Sequence, residues 1–206
     1  AALLRRYFDA VPDGVVNDRW GVPYHGFLTR EYTDIPEIIP EPWESTRGLG
    51  YSFGFNQDED SRHSLSGAAL IRLLVDVVAK NGNLLINVGP AADGSIPALQ
   101  RSAMRELGGW LRANGDAIYG TRPWIRMGEP TGSPRRYTRS AAGVHLHVLD
   151  PTTGTVELPA EFDESALRWV DGSAVESTSD ASGVRTATIP SALRAEAVAV
   201  LTASGV

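Results

Sequence analysis

Residues 74–97 read LVDVVAKNGNLLINVGPAADGSIP, and this stretch decides the fold. Leu74, Val77 and Val78 continue a series begun by Leu70 and Leu73, at i, i+3, i+4, i+7 and i+8. That is the spacing of one apolar helix face. It predicts a helix over 65–80 with Gly82 as its C-terminal cap. Residues 83–88 (NLLINV) follow, almost wholly apolar and bounded by Gly82 and Gly89-Pro90. Such a run is expected of a parallel strand covered on both faces. A second helix starts near Pro97, a favourable first-turn residue. It carries Met104, Leu107, Trp110 and Leu111 on one side and stops at Asn114-Gly115. Together these segments read as the closing βα units of a barrel or open α/β sheet, with helices outside.

Outward from this core, Leu3, Leu4, Tyr7 and Phe8 give residues 1–10 helical spacing, ended by Pro12-Asp13-Gly14. Val15-Val16 then reads as a short strand leading into Asn17-Asp18-Arg19-Trp20. Beyond Trp124 the texture changes. Short alternating segments at 144–149, 155–158, 167–170, 185–189 and 197–201 are separated by Gly, Pro, Ser and Asp. They predict a small β-sandwich. The expected division is therefore 1–124, the C-terminal part of an α/β barrel, and 125–206, an all-β sandwich.

Composition narrows the function. The net charge of −6, with no basic block among the 19 Lys and Arg residues, argues against nucleic acid or an anionic membrane surface as partner. No apolar run approaches the roughly 20 residues that span a bilayer. With no cysteine, thiolate catalysis and Cys-based zinc sites are excluded, while the compartment stays open. His145 and His147 share one strand face but lack a third ligand at matching spacing, so a cross-strand role is expected and no metal site is assigned. Gly48-Leu49-Gly50 has no third glycine at dinucleotide spacing and precedes Tyr51-Ser52-Phe53, read as a strand. No cofactor is expected.

The polar residues of the first 60 positions carry the remaining chemistry. Asp18, Arg19, Trp20, Tyr24, His25, Glu31, Tyr32, Trp43, Glu44, Arg47, Tyr51, Phe53 and Phe55 interleave carboxylates and guanidinium groups with aromatic rings. Such a mixture suits a sugar, whose C–H face packs on rings while its hydroxyls bond to charged groups. Arg19 and Trp20 follow the Val15-Val16 segment, and Glu31 lies in the same excursion, where a barrel places its active site. The same residues also suit plain structure: Asp18 and Arg19 an ion-pair network, Trp20 and Trp43 a core.

Five ordered motifs give a resemblance: VVNDRWGVP (15–23), REY (30–32), WESTRGLGYSFGF (43–55), the stretch 74–97, and DAIYGTRPW (116–124). Over residues 1–124 they closely resemble the α-L-fucosidases of glycoside hydrolase family 29. The resemblance implies retaining release of terminal α-L-fucose from a fucosylated glycan or aryl fucoside by two carboxyl groups, without a metal. It implies Glu31 as acid/base, with Glu44 as second candidate. It makes Arg19 a sugar-binding group, Phe53 a wall near the fucose methyl, and Trp20 a further contact; Asp18 holds Arg19. The family's nucleophile, an aspartate following a tryptophan, lies upstream of the helix preceding VVNDRWG, and neither Asp9 nor Asp13 fits it. The expectation is a fragment of a longer enzyme, with the exposed sheet edges of a cut barrel favouring self-association into a homo-oligomer.

Overall fold

The structure is a computed structural model that describes residues 2–128 and 134–206. It is mixed α/β. A helix, α1 (Ala2–Ala10), opens the chain and buries none of its residues. Val15 and Val16 lie in no strand, and the Val16 carbonyl accepts only the Gly26 N–H. Pairing begins only at Asn17, as a single parallel bridge to Phe27, so the strand expected at Val15-Val16 does not form.

Strands β1 (Leu28–Glu31), β2 (Trp43–Gly48) and β3 (Gly82–Asn87) make a parallel sheet in that order. Sequence reading missed the first two, because neither is an apolar run. The strand expected at residues 51–53 is instead a loop: the parallel ladder stops at Gly48, followed only by a single antiparallel bridge from Gly50 to Ser64. In the register, Thr29 lies beside Glu44 and Glu44 beside Asn83, with Glu31 beside Thr46 and Thr46 beside Leu85. Paired residues share a face. Thr29, Glu31, Glu44, Thr46, Asn83 and Leu85 therefore form one face, and Leu28, Trp43, Ser45, Leu84 and Ile86 the other.

The second face is the packed one. Helix α2 (Gly67–Ala79), N-capped by the Ser66 side chain, turns Leu70, Ile71, Val75 and Val77 inward. Helix α3 (Ala98–Asn114) adds Ala103, Leu107 and Trp110. Pro97 is the residue before α3's first turn and not within it. Trp43 is 1% exposed, packs on Val77, and donates its ring N–H to the Lys80 carbonyl at 2.9 Å. Its neighbour in register is Gly82, where a Cβ would lie 2.5 Å from the indole. Gly82 thus serves close packing and is not the cap. The left-handed residue ending α2 is Asn81 at φ 72°, a conformation Asn tolerates. On the opposite face Leu85 is 48% exposed, so the sheet is covered on one side among the described residues, not on both.

The remainder is antiparallel. One sheet has the order β4 (Arg122–Gly128), β5 (Arg135–Ser140), β6 (Gly143–Val148), β11 (Ala199–Ala203), β8 (Leu167–Trp169). The other has the order β7 (Thr155–Glu157), β10 (Arg185–Thr188), β9 (Ser177–Ser179). Tyr137, Leu146, Leu201 and Trp169 from the first share a core with Val156 and Ala187 from the second. Trp124, on β4, already belongs to this core. The larger sheet is buried on both faces. Leu201 and Ala203 point to the shared core, while Val198 and Val200 pack against α2 and α3. Trp110 of α3 donates its ring N–H to the Val198 carbonyl at 2.9 Å. Asp76 of α2 accepts from Lys80 at 2.5 Å and from Arg136 of β5 at 2.7 Å. Among the described residues no helix is long and apolar enough to cross a membrane.

His145 and His147 lie on the face toward the helices. His145 meets the hydroxyls of Ser140 and Thr202 at 2.8 and 2.9 Å. The Thr138 hydroxyl donates to the Ala117 carbonyl, so it accepts from His147 Nε2–H at 2.8 Å. Burial, reinforced by His145, pushes His147 down to about 3 from its ordinary 6.5. The unfolded chain binds this proton near pH 6.5 and the folded chain only near 3, so stability is full above 6.5 and falls as pH drops toward 3. Between pH 7 and 4.5 the loss from this group is expected to be roughly 2–3 kcal/mol. Urea unfolding of wild type and His147→Gln across this range checks it: the variant should show a shallower pH slope.

Candidate active site

Parallel strands deliver their C-terminal ends to one edge, where ligands gather in open and closed α/β sheets alike. Glu31 ends β1, Gly48 ends β2 and Asn87 ends β3. The loops leaving these ends carry Tyr32, Phe53 and Gly89.

The site begins with Asp18, in a short turn that Asn17 caps by accepting the Arg19 N–H. The Asp18 carboxylate accepts the Thr29 backbone N–H at 3.0 Å and the Thr29 hydroxyl at 2.7 Å. The same hydroxyl accepts from Arg19 Nε at 2.8 Å. Arg19 then reaches Glu31 with its outer nitrogen, 2.8 Å from the carboxylate. A relay from Asp18 through Thr29 to Arg19 and Glu31 results, crossing from the turn to β1. The Thr29 hydroxyl is the main cause holding the Asp18 carboxyl below its usual range, with Arg30, at 3.6 Å, adding to it. Arg19 and Glu31 are about half exposed, on the open face of the sheet.

Beyond Glu31 the chain turns at Tyr32 (φ 47°), whose ring stands edge-on to Phe53 at 5.5 Å. Arg47 lies 5.1 Å over the Tyr32 ring. Asn87 donates its side-chain amide to the Phe53 carbonyl, tying that loop to the end of β3. The Phe53 ring is 41% exposed and faces outward beside Glu31's neighbour. Arg19, Glu31 and Phe53 therefore sit along one edge of the sheet.

Glu44 is placed differently. It shares the open face with Glu31 but lies two residues back from Thr46, Glu31's partner, so their Cα atoms are about 8 Å apart. Its carboxylate accepts from Thr46 at 3.3 Å. The nearby guanidinium groups are engaged elsewhere: Arg19 pairs with Glu31, and Arg47 bonds the Gly48 carbonyl. Trp20 is 53% exposed in its turn, and Trp43 is core. Sequence reading assigned no role to Thr29, Tyr32 and Asn87. The available signal for Thr29 was its position two residues before Glu31, on the same strand face.

With this geometry in hand, kinship can be stated. The family model "Alpha-L-fucosidase" matches residues 2–116. The chain belongs to the α-L-fucosidase family. It is 34% identical over 151 residues to an α-L-fucosidase of Branchiostoma floridae, covering 70% of this chain and 34% of that protein. Against a plasma α-L-fucosidase of Rattus norvegicus it is 35% identical over 116 residues, 53% and 25% of the two chains. A solved α-L-fucosidase aligns at TM-score 0.85 and 37% identity over 98% of this chain and 48% of the other. A Thermotoga maritima α-fucosidase solved in complex with fucose gives 0.82 and 38%, again 98% and 48%. The chain thus spans about half the length of these solved α-L-fucosidases and about a third of the B. floridae relative.

The relay makes a direct prediction. Replacing Thr29 by Val removes the hydroxyl that Asp18 accepts, so the Asp18 carboxyl should titrate higher, toward 3.8. Carbon-detected NMR titration of the Asp18 side chain reads this; an unchanged midpoint would show that the backbone N–H alone sets it.

Proposed function

We propose that this chain supplies the acid/base and part of the sugar pocket of a retaining α-L-fucosidase acting on fucosylated glycans. The observation that carries the reading is the 2.8 Å contact between Arg19 and Glu31 at the C-terminal edge of the parallel sheet, beside the exposed Phe53 ring. Glu31 protonates the departing oxygen and then activates water. Arg19 and Trp20 take sugar hydroxyls and ring, and Phe53 meets the apolar face of fucose. An ion pair this exposed is worth about 0–1 kcal/mol, so arriving sugar hydroxyls displace it at small cost.

In this reading β1, β2 and β3 with α2 and α3 are the last βα units of a barrel, whose division from the β-sandwich falls near Trp124. The open face carrying Thr29, Glu31 and Glu44 becomes the barrel interior. The nucleophile then comes from strands that precede these, as the half-length coverage of the solved relatives supports. Glu44, about 8 Å from Glu31 and bonded to Thr46, braces that interior and is the second candidate for the acid.

A second reading concerns the 206 residues alone: a fucose-binding, catalytically silent segment. The Arg19–Glu31 contact and the exposed Phe53 ring, which these residues hold by themselves, favour it. Calorimetry with fucose together with an aryl fucoside assay separates the two, since binding without turnover belongs to the second. The open edge of β3 and the exposed Leu85 favour pairing of such isolated chains into a homo-oligomer.

In the completed barrel, Glu31→Ala is expected to lower hydrolysis of an unactivated fucoside by about 10²–10⁴, and azide, taking the place of water at the fucosyl-enzyme, to restore turnover only of an activated aryl fucoside. Glu44→Ala should stay within about tenfold of wild type. Equal rates for Glu31→Ala and wild type would remove Glu31 from the assignment.

A further inference from the structure

Among the described residues, two that are not glycine have positive φ: Asn81, which tolerates it, and Tyr32, which does not. A bulky aromatic residue keeps a left-handed backbone only where its surroundings over-determine it. Tyr32 immediately follows Glu31, and its surroundings are specific. The Gly48 N–H, at the end of β2, donates to the Tyr32 hydroxyl at 2.9 Å. That hydroxyl donates onward to the Gly50 carbonyl at 3.4 Å. The ring is held between Phe53, edge-on at 5.5 Å, and the Arg47 guanidinium at 5.1 Å.

Gly48 shows that this approach is built in. A Cβ there would lie 3.0 Å from the Tyr32 hydroxyl and 2.4 Å from the Ser52 carbonyl. Only a residue without a side chain lets the tyrosine reach the end of β2 while the following loop folds over it. The consequence for β1 is directional. A left-handed residue at the strand end turns the chain out of β1 toward the packed face, where Ile35 joins Trp43 and Val77, and the preceding carboxylate stays on the open face with Thr29. The same side chain fixes the Phe53 ring relative to Glu31.

We infer that Tyr32 is the positioning residue that aims the Glu31 carboxyl and sets its distance from the Phe53 wall; the inference rests on Glu31 being the acid/base. Tyr32 does not touch the reacting atoms. It acts through the turn it enforces and through the loop it pins.

The test compares Tyr32→Phe, which keeps the ring and loses the hydroxyl links, with Tyr32→Gly, which frees the turn. Each is assayed in the completed barrel on two substrates. One is an alkyl fucoside, whose departure needs a proton. The other is a dinitrophenyl fucoside, whose departure does not. A misaimed acid predicts about a tenfold loss of kcat/KM on the alkyl fucoside for Tyr32→Phe and about a hundredfold loss for Tyr32→Gly. On the dinitrophenyl fucoside kcat/KM, which reports only the first displacement, should stay within about twofold, even though kcat falls where Glu31 also activates the water. Equal losses on both substrates, or no loss on either, would overturn the inference. Glu31→Ala assayed in parallel keeps the two claims apart. If it lacks this leaving-group dependence, the assignment of Glu31 falls; if it has it and Tyr32→Gly does not, only the role of Tyr32 falls.

Discussion

The parallel register of three short strands is the constraint on which the site depends. Because the side-chain period in a strand is two, slipping β2 by one residue would send Glu44 and Thr46 to the helices and Trp43 to solvent. Burial of one large side chain opposes this. Trp43 is 1% exposed, bonded to the Lys80 carbonyl, and seated over the bare Gly82. Losing such a residue from a core costs about 3–5 kcal/mol, far more than any surface contact in the site. The indole on the packed face thus sets which carboxylates stand on the open one.

A second layer of restraint comes from the antiparallel part. Sheets with one solvated face alternate apolar and polar residues. β11 does not alternate, because Val200, like Val198 just before the strand, meets the helix layer while Leu201 and Ala203 meet the shared core. The helices behind the site are therefore clamped between two sheets. Several polar groups caught in that clamp are paired: Thr138 and His147 bond each other, and Asp76 lies between Lys80 and Arg136. Removing the carboxylate would strand a 5%-exposed lysine, at a cost of about 3–5 kcal/mol.

How much of this the sequence disclosed follows from what each element is made of. α2, α3 and β3 are legible because their apolar residues repeat at the helical period or run together. β1 and β2, LTRE and WESTRG, are not, because their strand character comes from pairing and from a single buried indole. The end of α2 was misread for a related reason. Gly82 looked like a cap, yet its lack of a side chain serves Trp43, and Asn81 takes the left-handed turn. In the candidate site, Arg19, Glu31 and Phe53 were named by resemblance. Thr29 left only its spacing of two from Glu31, and a strained tyrosine such as Tyr32 leaves no periodic trace.

The energetics of the edge explain why support matters more than charge there. A left-handed tyrosine costs about 1–3 kcal/mol. Against it stand a hydrogen bond of about 1 kcal/mol, an edge-on ring pair of about 0.5–1.5 and an exposed guanidinium contact of about 0.5–1. These offset the strain with little to spare, so the turn persists because several weak contacts coincide. The Arg19–Glu31 pair, half exposed, adds no more than about 1 kcal/mol. Its attraction grows only when water is excluded and the local dielectric falls. In the proposed reading, a barrel closing over the open face would do that along the same edge that the strands, Trp43 and Tyr32 already hold in place.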